Sequence, residues 1–204
     1  MIRTFCVFLL SFHLISLASA GEFNPVLDVG QAVTPWKDLE GTDEAAHTWD
    51  EFKTKKVLVV AFTCNTCPYV VDYQDRLKKL ASKWNQDDRV AVVAVNSNLI
   101  DEDSLEAMTE HAQKAAFNFL YLKDANQELG KAWGATRTPE FFVLNEDRKV
   151  VYMGAMDNDT NAEKATLNYV DLAVEAALAG KQPEVQETVA IGCNIRYKRS
   201  RRSR

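Results

Sequence analysis

The sequence predicts an α/β domain built as a mixed central sheet with helices on both faces. Three observations carry that expectation. The β-branched apolar runs "VLVVAF" (57–62) and "RVAVVAV" (89–95) hold no polar residue after their first position, as strands covered on both sides require. Between and after them, apolar residues recur in steps of three and four, the period of one helix face. Two later apolar runs flank the polar turn "NEDR", which predicts an antiparallel pair.

In chain order, residues 24–46 read as an irregular or hairpin region, followed by the strand 57–62. Val70, Tyr73, Leu77, Leu80 and Trp84 then mark a helix. After the strand 89–95, Asp103 and Ser104 offer a cap for a second helix that turns Leu105, Met108, Ala112 and Ala115 inward. "FLYL" (119–122) predicts a strand, and "ANQELGKAW" a short helix ended by Gly134. "EFFVL" (140–144) and "KVVYMG" (149–154) are the hairpin strands. A last helix is expected from about Ala162 to Ala179, with Leu167, Val170, Val174 and Leu178 inward and Gly180 at its end.

The first twenty residues, "MIRTFCVFLLSFHLISLASA", combine one charge at Arg3, an apolar stretch from Phe5 to Leu17 and the small-residue pattern Ala18-Ser19-Ala20. This predicts a cleaved signal peptide (1–20) and a secreted or periplasmic protein. The apolar stretch, broken by Ser11 and His13, is shorter than the roughly 20 residues a spanning helix needs. Cleavage removes Cys6 and His13 and leaves Cys64, Cys67 and Cys193, too few and too uneven for a disulfide-stapled scaffold. The expected organisation is a domain over 21–182 and a C-terminal extension over 183–204.

Charge divides the same way. The chain has 24 basic and 29 acidic residues, net −5, but six of the basic ones fall in "RYKRSRRSR" (196–204), leaving an acidic body and a basic tail. The tail reads as a solvated end or as a contact for an anionic surface. With an export signal, no nucleic-acid partner is expected.

The chemistry is concentrated in "FTCNTCPYV" (62–70), where a buried strand hands over to a helix. Cys64 is expected at the strand exit and Cys67 in the first helical turn, with Pro68 suited to early helical positions. Free amides and the helix dipole would favour a thiolate at Cys64, below the roughly 8.5 of a free thiol. Cys67 would then attack a mixed disulfide on Cys64 and release the partner. The spacing fits reversible dithiol–disulfide exchange with protein thiols or disulfides and an upstream electron donor or acceptor, and no cofactor is required.

The strand "VLVVAF", the motif Cys64-Asn65-Thr66-Cys67-Pro68 and "GATRTPEFFVL" (134–144) resemble the thioredoxin superfamily. The nearest branch is the exported redoxins related to alkyl hydroperoxide reductase and thiol-specific antioxidant proteins. "CNTCPYV" and the late "IGCNIRYK" resemble a peroxiredoxin-like subgroup, and the similarity covers about residues 27–198. It implies a thioredoxin-like fold and a cis bond before Pro139. It also implies that Thr138 and Pro139 shape a substrate groove and that Cys193 is a third redox thiol. Leu58 stands where thioredoxin has a buried carboxylate, so the proton of Cys67 is expected to go to Glu140 or water. The peroxiredoxin pattern PxxxTxxC is missing ahead of either thiol, which favours disulfide exchange over the alternative of a thiol-dependent peroxidase.

Other readings are weaker. Zinc would need four ligands, and Cys64, Cys67, Cys193, His47 and His111 are scattered without a second pair, so no metal site is expected. Soft thiolates suit Cu(I), leaving a non-enzymatic copper-binding redoxin as the other alternative. A permanent Cys64–Cys67 staple closes too small a loop to add much stability. His47 and His111 are expected at the surface, and Tyr69 and Trp84 in the core. The stretch 157–161 opens like a calcium loop but has Ala162 and Asn168 where Gly and Glu are needed. Arg137 either faces solvent or steers acidic substrates.

Overall fold

The computed structural model describes residues 21–198; the expected signal segment 1–20 and the basic residues 199–204 lie outside the described residues. The run Val57–Phe62 is strand β3, and its composition follows from two-sided burial. Val57, Val59 and Ala61 enter one core, and Leu58, Val60 and Phe62 enter the other. Successive side chains alternate across a sheet, so a strand with two covered faces has no polar position. Strand β4 (Val90–Asn96) divides in the same way and pairs parallel to β3, with Val57 opposite Val90 and Phe62 opposite Val95.

Helix α1 (Pro68–Trp84) crosses between these strands and buries Val70, Tyr73, Leu77, Leu80 and Trp84, as its period predicts. Ser104 caps α2 (Leu105–Lys114) by accepting from the Ala107 amide at 3.3 Å. Strand β5 (Leu120–Lys123) pairs parallel to β4. The short α3 (Glu128–Ala132) is followed by Gly134, whose positive φ of 66° lets the chain leave the helix. After β6 (Arg137–Thr138) come the antiparallel strands β7 (Glu140–Leu144) and β8 (Val150–Gly154).

The irregular region contains a hairpin, β1 (Asp38–Gly41) and β2 (Ala46–Thr48), that joins the sheet through β5. The sheet order is β2-β1-β5-β4-β3-β7-β8. Its faces are covered unequally. Side chains of α1, α2 and the last helix α4 (Tyr169–Leu178) fill one core. The other is closed by α3 and residues 27–52, around the aromatic group of Trp36, Trp49, Phe52, Phe62, Trp133 and Phe142.

The last helix is shorter than its periodicity predicts. It starts at Tyr169, capped by Asn168, whose Oδ1 accepts from the Asp171 amide at 2.9 Å. The preceding residues stay out of helix because their own side chains take the backbone amides. Asp159 accepts from Asn161, Asn161 from Glu163, and Asn158 from both Thr166 and Leu167. Leu167, expected inward, is therefore exposed.

Past α4 the chain does not leave the domain. Residues 186–188 run beside β8 through Met153, and Ile195 is buried in the second core. A two-residue strand, β9 (Cys193–Asn194), pairs antiparallel to β6, with Thr138 opposite Cys193.

Candidate functional site

The parallel strands β3, β4 and β5 end together, and their carboxyl ends carry the polar residues of an otherwise apolar sheet. Asn96, Ser97, Asn98, Asp103, Lys123, Asp124 and Gln127 are all buried there, along with Thr63 and Asn65. Such a cluster persists only if its groups pair. The Asp103 carboxylate accepts from the Asn65 amide at 2.7 Å, Asn96 Nδ2 at 2.9 Å and Asn98 Nδ2 at 3.1 Å. Lys123 Nζ donates to the Asp103 carbonyl at 2.6 Å and to the Asn98 carbonyl. Tyr121 donates to Asn65 Oδ1 at 3.0 Å.

Asn65 is the first residue between the two thiols, so this network fixes the Cys-x-x-Cys loop from below. Sequence reasoning did not single it out. The available signal was the abrupt change from "AVVAV" to "NSN" and from "YL" to "KD" at strand ends.

Cys64 and Cys67 lie above that floor, 4% and 3% exposed. Both address Thr138. Cys64 Sγ is 3.4 Å from Thr138 Oγ1, and Cys67 Sγ donates to the Thr138 carbonyl at 3.2 Å. The Thr138–Pro139 bond is cis, as the resemblance implies. Cys193 joins them from β9, its Sγ 2.7 Å from that of Cys67. That separation is inside van der Waals contact yet longer than the roughly 2.05 Å of a disulfide; all three cysteines are free thiols.

The electrostatics favour ionisation at Cys67 rather than at Cys64, where it was expected. Helix α1 begins at Pro68, which makes Cys67 its N-cap residue, and the two cysteines are equally covered. Burial pushes the Cys64 thiol up, the Asp103 carboxylate adds to this, and the Thr138 hydroxyl opposes it; the net direction is up. Burial also opposes ionisation of Cys67. Hydrogen bonds from the Cys193 thiol and from the Val70 and Cys193 amides outweigh it, holding Cys67 below its ordinary value. Cys193 is raised to about 11 by burial and by its bond and charge contact with Cys67. The thiolate is therefore favoured at Cys67.

Other expected residues take different places. Glu140 is buried, and its Oε2 accepts from the Thr136 and Arg137 amides at 2.7 and 2.9 Å. It braces the turn before Pro139 and makes no bond to Cys67. Arg137 is exposed and donates to the Gly192 carbonyl at 3.3 Å. Trp84 is buried as expected, whereas Tyr69 is 40% exposed. His47 is held between Asp43 and Glu51, and His111 faces Gln74 and Phe117. Asp157 accepts from Tyr73 Oη at 2.7 Å and Arg76 at 2.5 Å, so the calcium-like stretch is the acceptor of an internal ion pair. Among the described residues no group of three His, Cys, Asp or Glu side chains is arranged to hold a metal ion.

A Cys-x-x-Cys loop between a buried parallel strand and a helix, facing a cis-proline, defines a member of the thioredoxin superfamily on its mixed α/β fold. Residues 28–170 match the redoxin family, and the chain belongs to that family. Two solved structures resemble it over most of its length. A hypothetical protein from Sinorhizobium meliloti 1021 is 32% identical, covering 87% of this chain and 98% of its own, with a TM-score of 0.79. An uncharacterized conserved protein from Geobacillus kaustophilus is also 32% identical, covering 87% and 96%, with the same score. The peroxidoxin BcpB from Mycobacterium tuberculosis shares the fold at 17% identity, covering 78% and 96%, with a TM-score of 0.54. No curated protein matches the chain.

Proposed function

We propose that the chain is an exported thiol–disulfide oxidoreductase that exchanges disulfides with protein substrates through Cys64 and Cys67. The observation that carries this reading is the convergence of both thiols on Thr138, beside the cis Pro139, with one of them placed at a helix start. The Cys67 thiolate attacks one sulfur of a substrate disulfide and releases the other as a thiolate. Attack by a second thiol of the chain on Cys67 Sγ then frees the substrate as a dithiol and leaves the chain oxidised. An upstream donor returns two electrons, or the same steps run backwards when the chain acts as an oxidant. Export rests on the sequence of residues 1–20 alone.

The burial of both thiols favours a second reading, a thiol-dependent peroxidase, because a hydroperoxide reaches a sulfur that a folded protein's disulfide does not. There, the Cys67 thiolate attacks the distal oxygen, the O–O bond breaks and the remaining oxygen leaves as alcohol or water. A second thiol then condenses with the resulting sulfenic acid to form a disulfide and release water. Turnover of a peptide disulfide and of hydrogen peroxide by the purified mature chain, under one set of conditions, separates the two. Faster disulfide turnover is expected. Dominant peroxide consumption establishes the second reading, and tight one-to-one copper binding without turnover of either substrate refutes both.

A further inference from the structure

The usual pairing in a Cys-x-x-Cys loop is between its own two sulfurs, yet here the thiol hydrogen-bonded to Cys67 Sγ is that of Cys193. We propose that Cys193 resolves mixed disulfides on Cys67, closing a Cys67–Cys193 bond between β9 and the start of α1, with Cys64 taking that bond over in a second exchange. This rests on the reading of Cys67 as the exchanging thiol.

Four observations carry it. The two sulfurs are 2.7 Å apart, while Cys64 Sγ is engaged by the Thr138 hydroxyl. Cys193 is also placed by the fold rather than by a loose end. Thr138 lies opposite it in the β6–β9 pair, and the Ile195 amide donates to the Thr136 carbonyl at 2.9 Å. Gln127, fully buried, donates to the Arg196 carbonyl at 2.9 Å and accepts from the Lys198 amide at 2.8 Å. Gly192 lies so close to the Thr138 carbonyl that a Cβ there would overlap it, so this approach of the two backbones needs glycine. Finally, the backbone edge next to Pro139, which the resemblance reserves for a substrate peptide, is taken by β9. The chain's own Cys193 therefore stands where a substrate sulfur would be presented.

The chemistry balances without a further reagent. Attack of Cys67 on glutathione disulfide gives a Cys67–glutathione bond and one glutathione thiolate. Conversion to a disulfide removes the Cys67 charge that, after burial, helps to hold the Cys193 proton, so Cys193 gives it up more readily once Cys67 is occupied. Its thiolate attacks Cys67 Sγ, the second glutathione leaves as thiolate, and the Cys193 proton goes to it. Cys64 then attacks Cys67 Sγ, forming Cys64–Cys67; Cys193 leaves as thiolate and takes the proton that Cys64 gives up.

The test uses the full mature chain and its Cys64→Ser variant, oxidised with glutathione disulfide, alkylated and digested with trypsin. Cys64 and Cys67 share the peptide 57–76, and Cys193 lies in 182–196. The inference expects peptides 57–76 and 182–196 joined as the main product of Cys64→Ser, at the intact mass of one chain, and as an early species in the parent. It is overturned if Cys193 in that variant is alkylated while Cys67 keeps glutathione, or if the link joins two chains. Gly192→Ala, which leaves all three thiols in place, should slow formation of the joined peptides on the order of tenfold; an unchanged rate overturns the role of β9. These readouts need no turnover, so loss of the oxidoreductase reading would show separately as an inactive chain that still forms the bond.

Discussion

Replacing Asp103 by alanine tests whether the buried polar floor, rather than the helix above it, holds the Cys-x-x-Cys loop in place. The substitution leaves three buried donors without their acceptor: the Asn65 amide, Asn96 Nδ2 and Asn98 Nδ2. Each orphaned group costs about 1–3 kcal/mol. Lys123 also loses one of its two counter-charges, keeping Asp124. Against this stands relief from burying a carboxylate, several kcal/mol by itself. The net loss expected is about 3 kcal/mol, which for a domain of this size lowers Tm by about 6–12 °C. Urea unfolding read by circular dichroism gives the free energy, and the pH dependence of iodoacetamide labelling reports the thiols. With the Asp103 charge gone, the Cys64 pKa should fall. A stability change under about 1 kcal/mol, with an unaltered denaturant slope, would refute the reasoning, since it would mean the loop does not depend on this carboxylate.

Three further outcomes are expected. In Cys64→Ser/Cys193→Ser a substrate adduct should accumulate on Cys67, whereas Cys67→Ser should trap almost none; mass spectrometry of the adducts decides, and equal yields would restore Cys64 as the attacking thiol. Iodoacetamide should label Cys67 at a lower pH than Cys64, because their pKa values move in opposite directions. His47 is desolvated, but its bonds to Glu51 and Asp43 outweigh that and raise its pKa. Its contribution to stability is thus present in full below about pH 6.5 and lost as pH rises through the folded value. His47→Gln should flatten that part of the stability profile, and a profile identical to the parent's would remove His47 as its source.

Most of the fold was legible because its rules are local. The two-sided strands β3 and β4, the α1 stripe, the Ser104 cap and the exit at Gly134 each follow from a few neighbouring residues. The start of α4 was missed because periodicity counts apolar residues and not the Asn and Asp side chains that compete for amides in 158–168. At the site, Cys64 and Cys67 follow from motif and spacing, while Thr138 and Pro139 follow only from the family resemblance, and the structure brings all four together with Cys193. The attacking role was expected at Cys64 on the premise that it stands nearest the helix start; the helix begins at Pro68, so the residue at its N-cap is Cys67, and the proposed attacking thiol moves to the second cysteine. Asp103 was read as a helix-cap candidate, and its place beneath the loop escaped notice because its partners Asn65, Asn96 and Asn98 meet it only when the strand ends and the helix start are assembled.

The amides of Glu22, Phe23 and Asn24 all donate to the carboxylate of Glu187, at 2.9, 2.7 and 2.9 Å. Their acceptor is made more than 160 residues later in synthesis. The opening segment of the domain therefore has no docking site until nearly the whole chain has emerged, and Gln127 likewise waits for Arg196 and Lys198. The two ends close the structure together, so a nascent chain stays short of its locked form until its final stretch is made. On the proposed export route, that delay leaves the chain unlocked while it threads a translocation pore, and Glu187, Arg196 and Lys198 supply the late contacts that tie the opening segment and Gln127 in place.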